Sequence, residues 1–370
     1  MFLQENTGNS ILRMRRPKAT KNFLIISVIN KKQGTGSDFY LELADYVKGF
    51  GFSCHNTLKY GHIFLFFYEL YLLFFIPPKS RVITTWPGFP RQLLVFNGFS
   101  NRTRFKLAGF IGRLKKWDLL LLPVDLPLMQ FHGKLRNGFA VRQSKYERDY
   151  FSNFSTYLTC GFKMTAFFHE INSLYVERKI VSFDLYCQNL PGHPERFIKI
   201  RDHNIVKIAI SGNLARMTND LDVLPEKHRL QYYFTGPGGD SIQNLVRRDF
   251  IYLGLLDENI LIDTLGQFSF GLIFYSRDQS DYFSWVIAGK LTTYLLAGLP
   301  IICHSDYTSM AELVSREKLG IVISNYHEIE KLAELGLKEY NIMVDNCLKV
   351  ASKVRSGDVY KEAFVKAQLI

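Results

Sequence analysis

Short apolar runs alternate with amphipathic segments along most of this chain. The runs at 23–29 (FLIISVI), 118–127 and 204–216 have the length and composition of buried strands, and the segments at 38–51 and 290–297 repeat apolar residues at helical spacing. Strands that alternate with helices in this way build parallel sheets with helices on both faces. The pattern therefore predicts an α/β fold based on parallel sheets.

The alternation forms two series, separated by a stretch rich in proline, glycine and charge. This stretch, QNLPGHPERFIKIRDH, predicts a linker at 188–203 between an N-terminal domain at 21–187 and a C-terminal domain at 204–335. A loose lead-in at 1–20 and C-terminal helices at 336–370 complete the predicted organisation. A length of 370 residues also favours two domains. We expect two facing Rossmann-like domains that bind ligands in the cleft beyond the carboxyl ends of their strands.

The net charge limits the classes of binding partner, and the cysteine content indicates the cellular compartment. Lys plus Arg number 46 against 34 Asp plus Glu, a formal charge of +12, which favours an anionic partner. RNA-binding, helix-turn-helix and zinc-finger patterns are missing, so nucleic acid is not predicted as that partner. Five scattered cysteines without C-x-x-C spacing argue against disulfides and zinc and favour a reducing compartment. The polar, basic N-terminus lacks the apolar core of a signal peptide, so we expect a cytoplasmic protein.

One segment, IFLFFYELYLLFFI at 63–76, complicates this picture because only Glu69 in it is charged. It is shorter than the roughly 20 residues that span a bilayer. Apolarity on all sides favours a helix buried in a core or in a homo-oligomer interface. The alternative is a membrane-docking face assisted by nearby cations, which are Lys59, Lys79 and Arg81. That alternative would place the protein at the inner face of the membrane.

The strongest candidate for chemistry is GKLTTYLLAGLPIICHSD at 289–306. We expect its helix to end at Gly298 and to pack through residues at i, i+3 and i+4, namely Leu291, Tyr294 and Leu295. Lys290 then lies at the helix N-terminus, where a cation opposes the helix dipole. A bound anion would remove that conflict. The alternative is a solvated lysine at little energetic cost.

Three glycine-bearing turns each follow a predicted strand: NKKQGTGSD at 30–38, SGNLAR at 211–216 and FTGPGG at 234–239. Glycines let backbone N–H groups approach an anion, and a helix N-terminus adds positive potential. Arg216, near the start of a helical segment, is suited to a bidentate phosphate contact. Any one of these turns alone is equally typical of an ordinary strand–helix connection.

The sequence offers few acidic residues as candidates for a catalytic or metal-binding role. Asp125 leaves a buried apolar strand toward the predicted cleft and is our candidate catalytic base. The sequence Asp220-Leu221-Asp222 resembles a metal-binding D-x-D motif, but it does not end a strand, so no metal site is predicted. His169, on an apolar segment, is expected to be a core residue.

Taken in order, these segments resemble a bacterial GT-B glycosyltransferase family that contains adhesin-glycan glucosyltransferases and related galactofuranosyltransferases. The motifs that carry the resemblance are SGNLxR at 211–216, YxGLLDENI at 252–260, GKLxxYLxAGLPII at 289–302 and VSREKLGIVI at 314–323. The N-terminal half matches less sharply, through GTGS, TTWP, VDLP and GFKM. The chain departs from the family at WVIAGK, where an Asn-Pro-His element is usual, and in the short loop DQSDYFSW.

The resemblance implies a GT-B fold whose C-terminal domain holds a nucleoside-diphosphate sugar, typically of uridine. The donor-site positions that follow from the turns and from the resemblance are Thr35, Gly36, Gly212, Asn213, Arg216, Tyr233, Gly236, Lys290 and Tyr294.

We therefore expect a metal-independent hexosyltransferase that needs no cofactor and extends a saccharide acceptor carried on lipid or protein. Two alternatives stay open: a nucleotide-sugar epimerase, and a non-catalytic GT-B-like subunit that binds a partner transferase or a membrane.

Overall fold

The computed structural model describes the two strand-rich regions of the chain and its C-terminus. The described residues are 21–26, 39–56, 68, 71–86, 111–123, 151–173, 178–188, 190, 192, 205–239, 242, 247–276 and 280–370.

The first sheet has six parallel strands in the order β2-β1-β3-β4-β5-β6. Apolar residues on both faces of its central strands are buried, as the apolar runs predict for a parallel sheet covered by helices. The strands are β1 (Asn22–Ile26), β2 (Ser53–Asn56), β3 (Arg81–Trp86), β4 (Asp118–Pro123), β5 (Thr156–Cys160) and β6 (Lys179–Phe183).

The second sheet also has six parallel strands, in the order β12-β11-β10-β7-β8-β9. Chain order runs outward in both directions from the neighbouring pair β7 and β10, so this pair is the topological switch point of the sheet. The strands are β7 (Val206–Ser211), β8 (Leu230–Thr235), β9 (Phe250–Tyr252), β10 (Phe270–Ile273), β11 (Ile301–His304) and β12 (Gly320–Ile323).

Helices cover both sheets. The numbered helices are α1 (Phe39–Lys48), α2 (Phe162–Ser173), α3 (Glu258–Leu265), α4 (Ser280–Phe283), α5 (Gly289–Leu296), α6 (Thr308–Arg316), α7 (Leu337–Ser356) and α8 (Asp358–Lys366). Short 3₁₀ segments follow β7 and β12, at Leu214–Arg216, Thr218–Val223 and Tyr326–Glu334.

The last helix returns to the first sheet. The Tyr360 hydroxyl on α8 accepts a hydrogen bond of 2.9 Å from the backbone N–H of Cys187. The Tyr360 ring also packs edge-on against Phe183 of β6, with centroids 5.3 Å apart. The C-terminal helices therefore complete the N-terminal domain as well as the C-terminal one.

The carboxyl edge of the first sheet contacts the segment that leads into α5. Gly161 follows β5, and a Cβ atom at this glycine would lie 3.1 Å from Ile287 Cγ1. The rings of Phe167 on α2 and Trp285 meet at right angles, with centroids 5.8 Å apart. These contacts and the two parallel sheets confirm the prediction of two Rossmann-like domains.

The segment predicted to be apolar on all sides is buried on one side only. Residues 71–75 are helical, and Leu72 and Leu73 are fully buried. On the other side Phe74 is 72% exposed. Complete burial in the core of this chain is therefore wrong for this part of the segment, and burial in a homo-oligomer interface stays a prediction. Residues 63–67 and 69–70 of the segment lie outside the described residues. Within the described part of the chain, no helix has the length and apolarity to cross a membrane.

Candidate functional site

The helix that carries Lys290 begins and ends where the sequence predicts. Ala288 precedes α5 in an extended conformation, without a side-chain cap. At the other end Gly298 adopts a φ of 61°, and its N–H donates to the Leu295 carbonyl at 2.8 Å. The Leu299 N–H donates to the Tyr294 carbonyl at 2.9 Å, which completes a Schellman motif. Every residue from Lys290 to Leu296 is buried, so the packing face is wider than predicted.

Lys290 places its ammonium group at the switch point of the second sheet. Its nitrogen donates a hydrogen bond of 3.1 Å to the carbonyl of Phe274, which follows β10. The same nitrogen lies 3.9 Å from the centroid of the Tyr275 ring. On the other side is Gly212, which follows β7 and whose Cβ, if present, would be 3.5 Å from the ammonium nitrogen. The side chain thus reaches the point where the fold class binds its ligands.

Lys290 is 9% exposed, so the alternative of a solvated surface lysine is wrong. Burying a cation is costly unless other groups compensate it. The Phe274 carbonyl and the electron-rich face of Tyr275 supply part of that compensation. A diphosphate would supply more, because an ammonium carries three N–H donors and a full positive charge.

The turns after β7 and β8 form one packed unit beside this lysine. Gly236 has a φ of 136°, and a Cβ there would lie 1.9 Å from the Gly212 carbonyl oxygen. The N–H of Leu214 donates to the Pro237 carbonyl at 2.9 Å, which ties the turns together. The glycines therefore let one turn approach the other, and together they fix the backbone at 212–213 next to Lys290.

Tyr294 lies directly beneath the switch point and is fully buried. Its hydroxyl accepts a hydrogen bond of 2.7 Å from the Ser211 N–H and donates one of 3.2 Å to the Leu272 carbonyl. Burial raises the pKa of Tyr294 to about 12. The structure therefore gives Tyr294 a structural role that links β7 to β10, and its contact with a donor stays a prediction.

Two further predicted residues lie near the turns. Tyr233 lies within β8, where its ring stacks on Phe268 at 4.5 Å and its hydroxyl donates to the Gln231 side chain at 2.8 Å. Asn213 is exposed at the start of the 3₁₀ turn that follows β7. Asn213 follows the carboxyl end of β7, whereas the partners of the Tyr233 side chain, Gln231 and Phe268, lie at the amino ends of β8 and β10. Contact of either residue with a donor stays a prediction.

Of the remaining predicted site residues, the structure describes only the backbone of Arg216. Arg216 ends the 3₁₀ turn Leu214–Arg216, so its backbone is close to Gly212, but its side chain is outside the described part. Thr35, Gly36 and the candidate base Asp125 lie outside the described residues altogether.

Sequence reasoning missed an aromatic cluster beside Lys290. The Tyr307 hydroxyl donates to the Tyr275 carbonyl at 3.1 Å and lies 3.3 Å from the Tyr326 hydroxyl. The ring of His304, the last residue of β11, stacks on Tyr326 with centroids 5.1 Å apart. Burial raises the pKa of Tyr307 to about 12. Tyr275 and His304 could have been found from their positions at the carboxyl ends of predicted strands.

The two aspartates that resemble a D-x-D motif lie in a 3₁₀ segment, whereas Asp306 follows β11 and its carboxylate lies 3.4 Å from His304 Nδ1. Asp222 is exposed in the 3₁₀ segment Thr218–Val223. His169 is exposed on α2, which makes its prediction as a core residue wrong. Among the described residues, no three His, Cys, Asp or Glu side chains converge in a way that would hold a metal ion.

Comparison with known proteins gives a match over the residues of this site. Residues 208–367 match the family model of the Glucosyltransferase 3-like C-terminal domain. Over 121 residues the chain is 31% identical to Glucosyltransferase 3 of Streptococcus gordonii, a match that covers 31% of this chain and 36% of that protein. The chain thus matches about a third of the length of this curated relative.

Two solved structures align with most of this chain. An α-glucosyltransferase in complex with UDP and a 13-mer DNA aligns with a TM-score of 0.55 at 10% identity, covering 95% of this chain and all of that one. TarM of S. aureus aligns with a TM-score of 0.46 at 13% identity, covering 81% of this chain and 56% of that one. The first of these likenesses, with the two parallel sheets, confirms the GT-B architecture.

The matched range contains the switch point with Lys290, the turns at Gly212 and Gly236, and the aromatic cluster. The likeness to the Glucosyltransferase 3-like C-terminal domain therefore covers the residues of this site, and the matched residues make up less than half of the chain.

Proposed function

We propose that this protein is a glycosyltransferase that transfers a hexose from a nucleotide sugar, a UDP-sugar, to a saccharide acceptor on lipid or protein. The observation that carries the proposal is the buried ammonium of Lys290 at the switch point between β7 and β10. The family match over the same residues and the glucosyltransferase name of the Streptococcus gordonii relative support it.

In this proposal Lys290 neutralises the donor diphosphate. The ammonium stabilises the leaving nucleoside diphosphate as negative charge develops on it during transfer. The first turn of α5 adds backbone N–H groups and the positive end of the helix dipole, and no side chain caps that turn. These groups perform the task that a metal ion performs in other transferases, so the proposed enzyme is metal-independent and needs no cofactor.

The proposal assigns the acceptor to the N-terminal domain, across the cleft from the donor. Closing the cleft would exclude water that otherwise hydrolyses the donor. We place the enzyme in the cytoplasm, where nucleotide sugars are available.

A donor screen tests the proposal. The melting temperature of the whole chain is measured with UDP, GDP, CMP, their sugars, ATP and NAD. A ligand at about 100 times its dissociation constant stabilises the folded state by about 2.7 kcal/mol, a shift that such a screen detects easily. We expect UDP or a UDP-sugar to give the largest shift, and stabilisation by NAD alone would contradict the assignment.

Turnover distinguishes an enzyme from a silent subunit. The stabilising UDP-sugar is incubated with the protein, and release of UDP is followed with and without candidate oligosaccharide acceptors. We expect slow hydrolysis alone and faster release with an acceptor. Binding without release would favour the non-catalytic subunit, and a changed sugar configuration without UDP release would favour an epimerase.

A further inference from the structure

Three aromatic side chains form an exposed face on the N-terminal domain. Tyr71, Phe74 and Phe75 are 49%, 72% and 49% exposed, respectively. The rings of Tyr71 and Phe75 stack with centroids 5.0 Å apart. The opposite side of the same helical turn is anchored in the core, which holds these rings at the protein surface.

A second helical turn, at 111–114, meets this aromatic face. Its Leu114 is 66% exposed. The ammonium of Lys115, which follows that turn, caps the end of the helical residues 71–75. It donates to the carbonyls of Leu73 at 2.5 Å, Phe74 at 2.9 Å and Ile76 at 2.8 Å. Since one side chain joins the two turns, the exposed apolar residues belong to a single surface.

Three cations lie in the same two segments as the exposed apolar residues. Lys79, Arg113 and Lys116 are all exposed. The backbone N–H of Lys79 donates to the Lys115 carbonyl at 2.8 Å, which brings the cations of both segments together. The described segments 71–80 and 111–117 contain these cations and no Asp or Glu. The surface therefore combines protruding aromatic rings with exposed positive charge.

We propose that this surface docks the protein on an anionic lipid bilayer. Aromatic and leucine side chains enter the boundary between headgroups and acyl chains, and lysine and arginine remain among anionic headgroups. A second copy of the chain is a poorer occupant, because a two-fold contact through this face would bring two sets of cations together. The proposal is independent of the donor chemistry at Lys290.

Vesicle binding of the full-length protein tests the proposal. Sedimentation is measured with vesicles of phosphatidylcholine alone and of phosphatidylcholine with phosphatidylglycerol. We expect binding only when phosphatidylglycerol is present, and weakening by added salt. Phe74→Ser removes the most exposed ring and should weaken binding about tenfold. The matched control is Ile342→Ser on α7, where the side chain is 47% exposed, and it should bind like the wild type.

Charge reversal provides an independent variant. Lys79→Glu with Arg113→Glu should weaken binding by tenfold or more, because each cation near an anionic surface contributes measurably. Lys338→Glu with Lys349→Glu, at exposed positions of α7, is the control with the same change in net charge. All four variants should keep the wild-type affinity for UDP, which separates this test from that of the donor site.

Two results would overturn the proposal. One is equal sedimentation with and without phosphatidylglycerol. The other is a loss of self-association in Phe74→Ser, seen by size-exclusion chromatography with light scattering, which would identify the face as a contact between copies.

Discussion

The ammonium nitrogen of Lys290 lies 3.9 Å from the centroid of the Tyr275 ring. A backbone carbonyl, that of Phe274, holds the same nitrogen at 3.1 Å. The cation is therefore positioned at the carboxyl ends of the central strands before any ligand arrives. A side chain that is already ordered loses less conformational entropy on binding, so this arrangement favours a tight anion site.

The Tyr294 hydroxyl links β7 to β10 under the site, and we expect Tyr294→Phe to destabilise the protein. The change removes the acceptor for the Ser211 N–H and the donor to the Leu272 carbonyl, at a cost of about 1–3 kcal/mol. Denaturant unfolding of both proteins measures the loss. UDP affinity should fall much less than in a Lys290 variant, and a large fall without destabilisation would instead identify Tyr294 as a donor contact.

The two glycine turns approach each other closely, so we expect Gly236→Ala to destabilise the folded protein strongly. A Cβ at this position would lie 1.9 Å from a backbone oxygen, and the φ of 136° is unfavourable for alanine. We expect a loss of several kcal/mol in unfolding free energy, measured by thermal and denaturant unfolding. The matched control is Gly336→Ala, where nothing lies within 4 Å of the added Cβ. A similar, small effect of both changes would contradict the tight packing of the turns.

Arg216 follows the same turn, and its role in phosphate binding stays a prediction. We expect Arg216→Ala to weaken UDP binding, measured by calorimetry, as the loss of a charge-assisted hydrogen bond does. If Arg216 and Lys290 share one diphosphate, the double variant should lose less affinity than the sum of the single losses. Strictly additive losses would mean that the two cations act on separate groups.

The proposed mechanism predicts activity without a metal ion. Release of UDP from the donor, with and without acceptor, should survive EDTA because cationic side chains neutralise the diphosphate. The assay is repeated with added magnesium or manganese. Loss of activity in EDTA that manganese restores would contradict metal independence. It would favour Asp220 and Asp222 as metal ligands.

Periodicity and turn residues were sufficient to predict the two parallel sheets and the limits of α5. Gly298 and Pro300 define the end of that helix locally, so no tertiary information was needed. The burial of Lys290 was not predictable, because it depends on the chain after β10, where Phe274 and Tyr275 close over the ammonium. A helix-terminal lysine looks the same in sequence whether its end faces solvent or a sheet edge.

The segment at 63–76 shows a second limit of sequence reasoning. Its apolar residues occupy all sides of the helical turn, so their pattern cannot distinguish the buried side from the exposed one. Leu73 and Phe74 are neighbours, yet the first is fully buried and the second is 72% exposed. Only the packing of the turn on β1 and β3 decides which residues face solvent.

The most direct test of the central claim is calorimetric titration of UDP into the wild type and Lys290→Met. Methionine keeps the apolar part of the side chain; alanine would leave a cavity at this buried position and confuse binding with stability. Lys349→Met, at an exposed position on α7, is the control. We predict a fall in affinity of about ten- to a hundredfold for Lys290→Met alone, as expected for a lost bond of about 1.5–3 kcal/mol to a charged group. Equal affinity in all three proteins would contradict the assignment of Lys290 to the donor diphosphate.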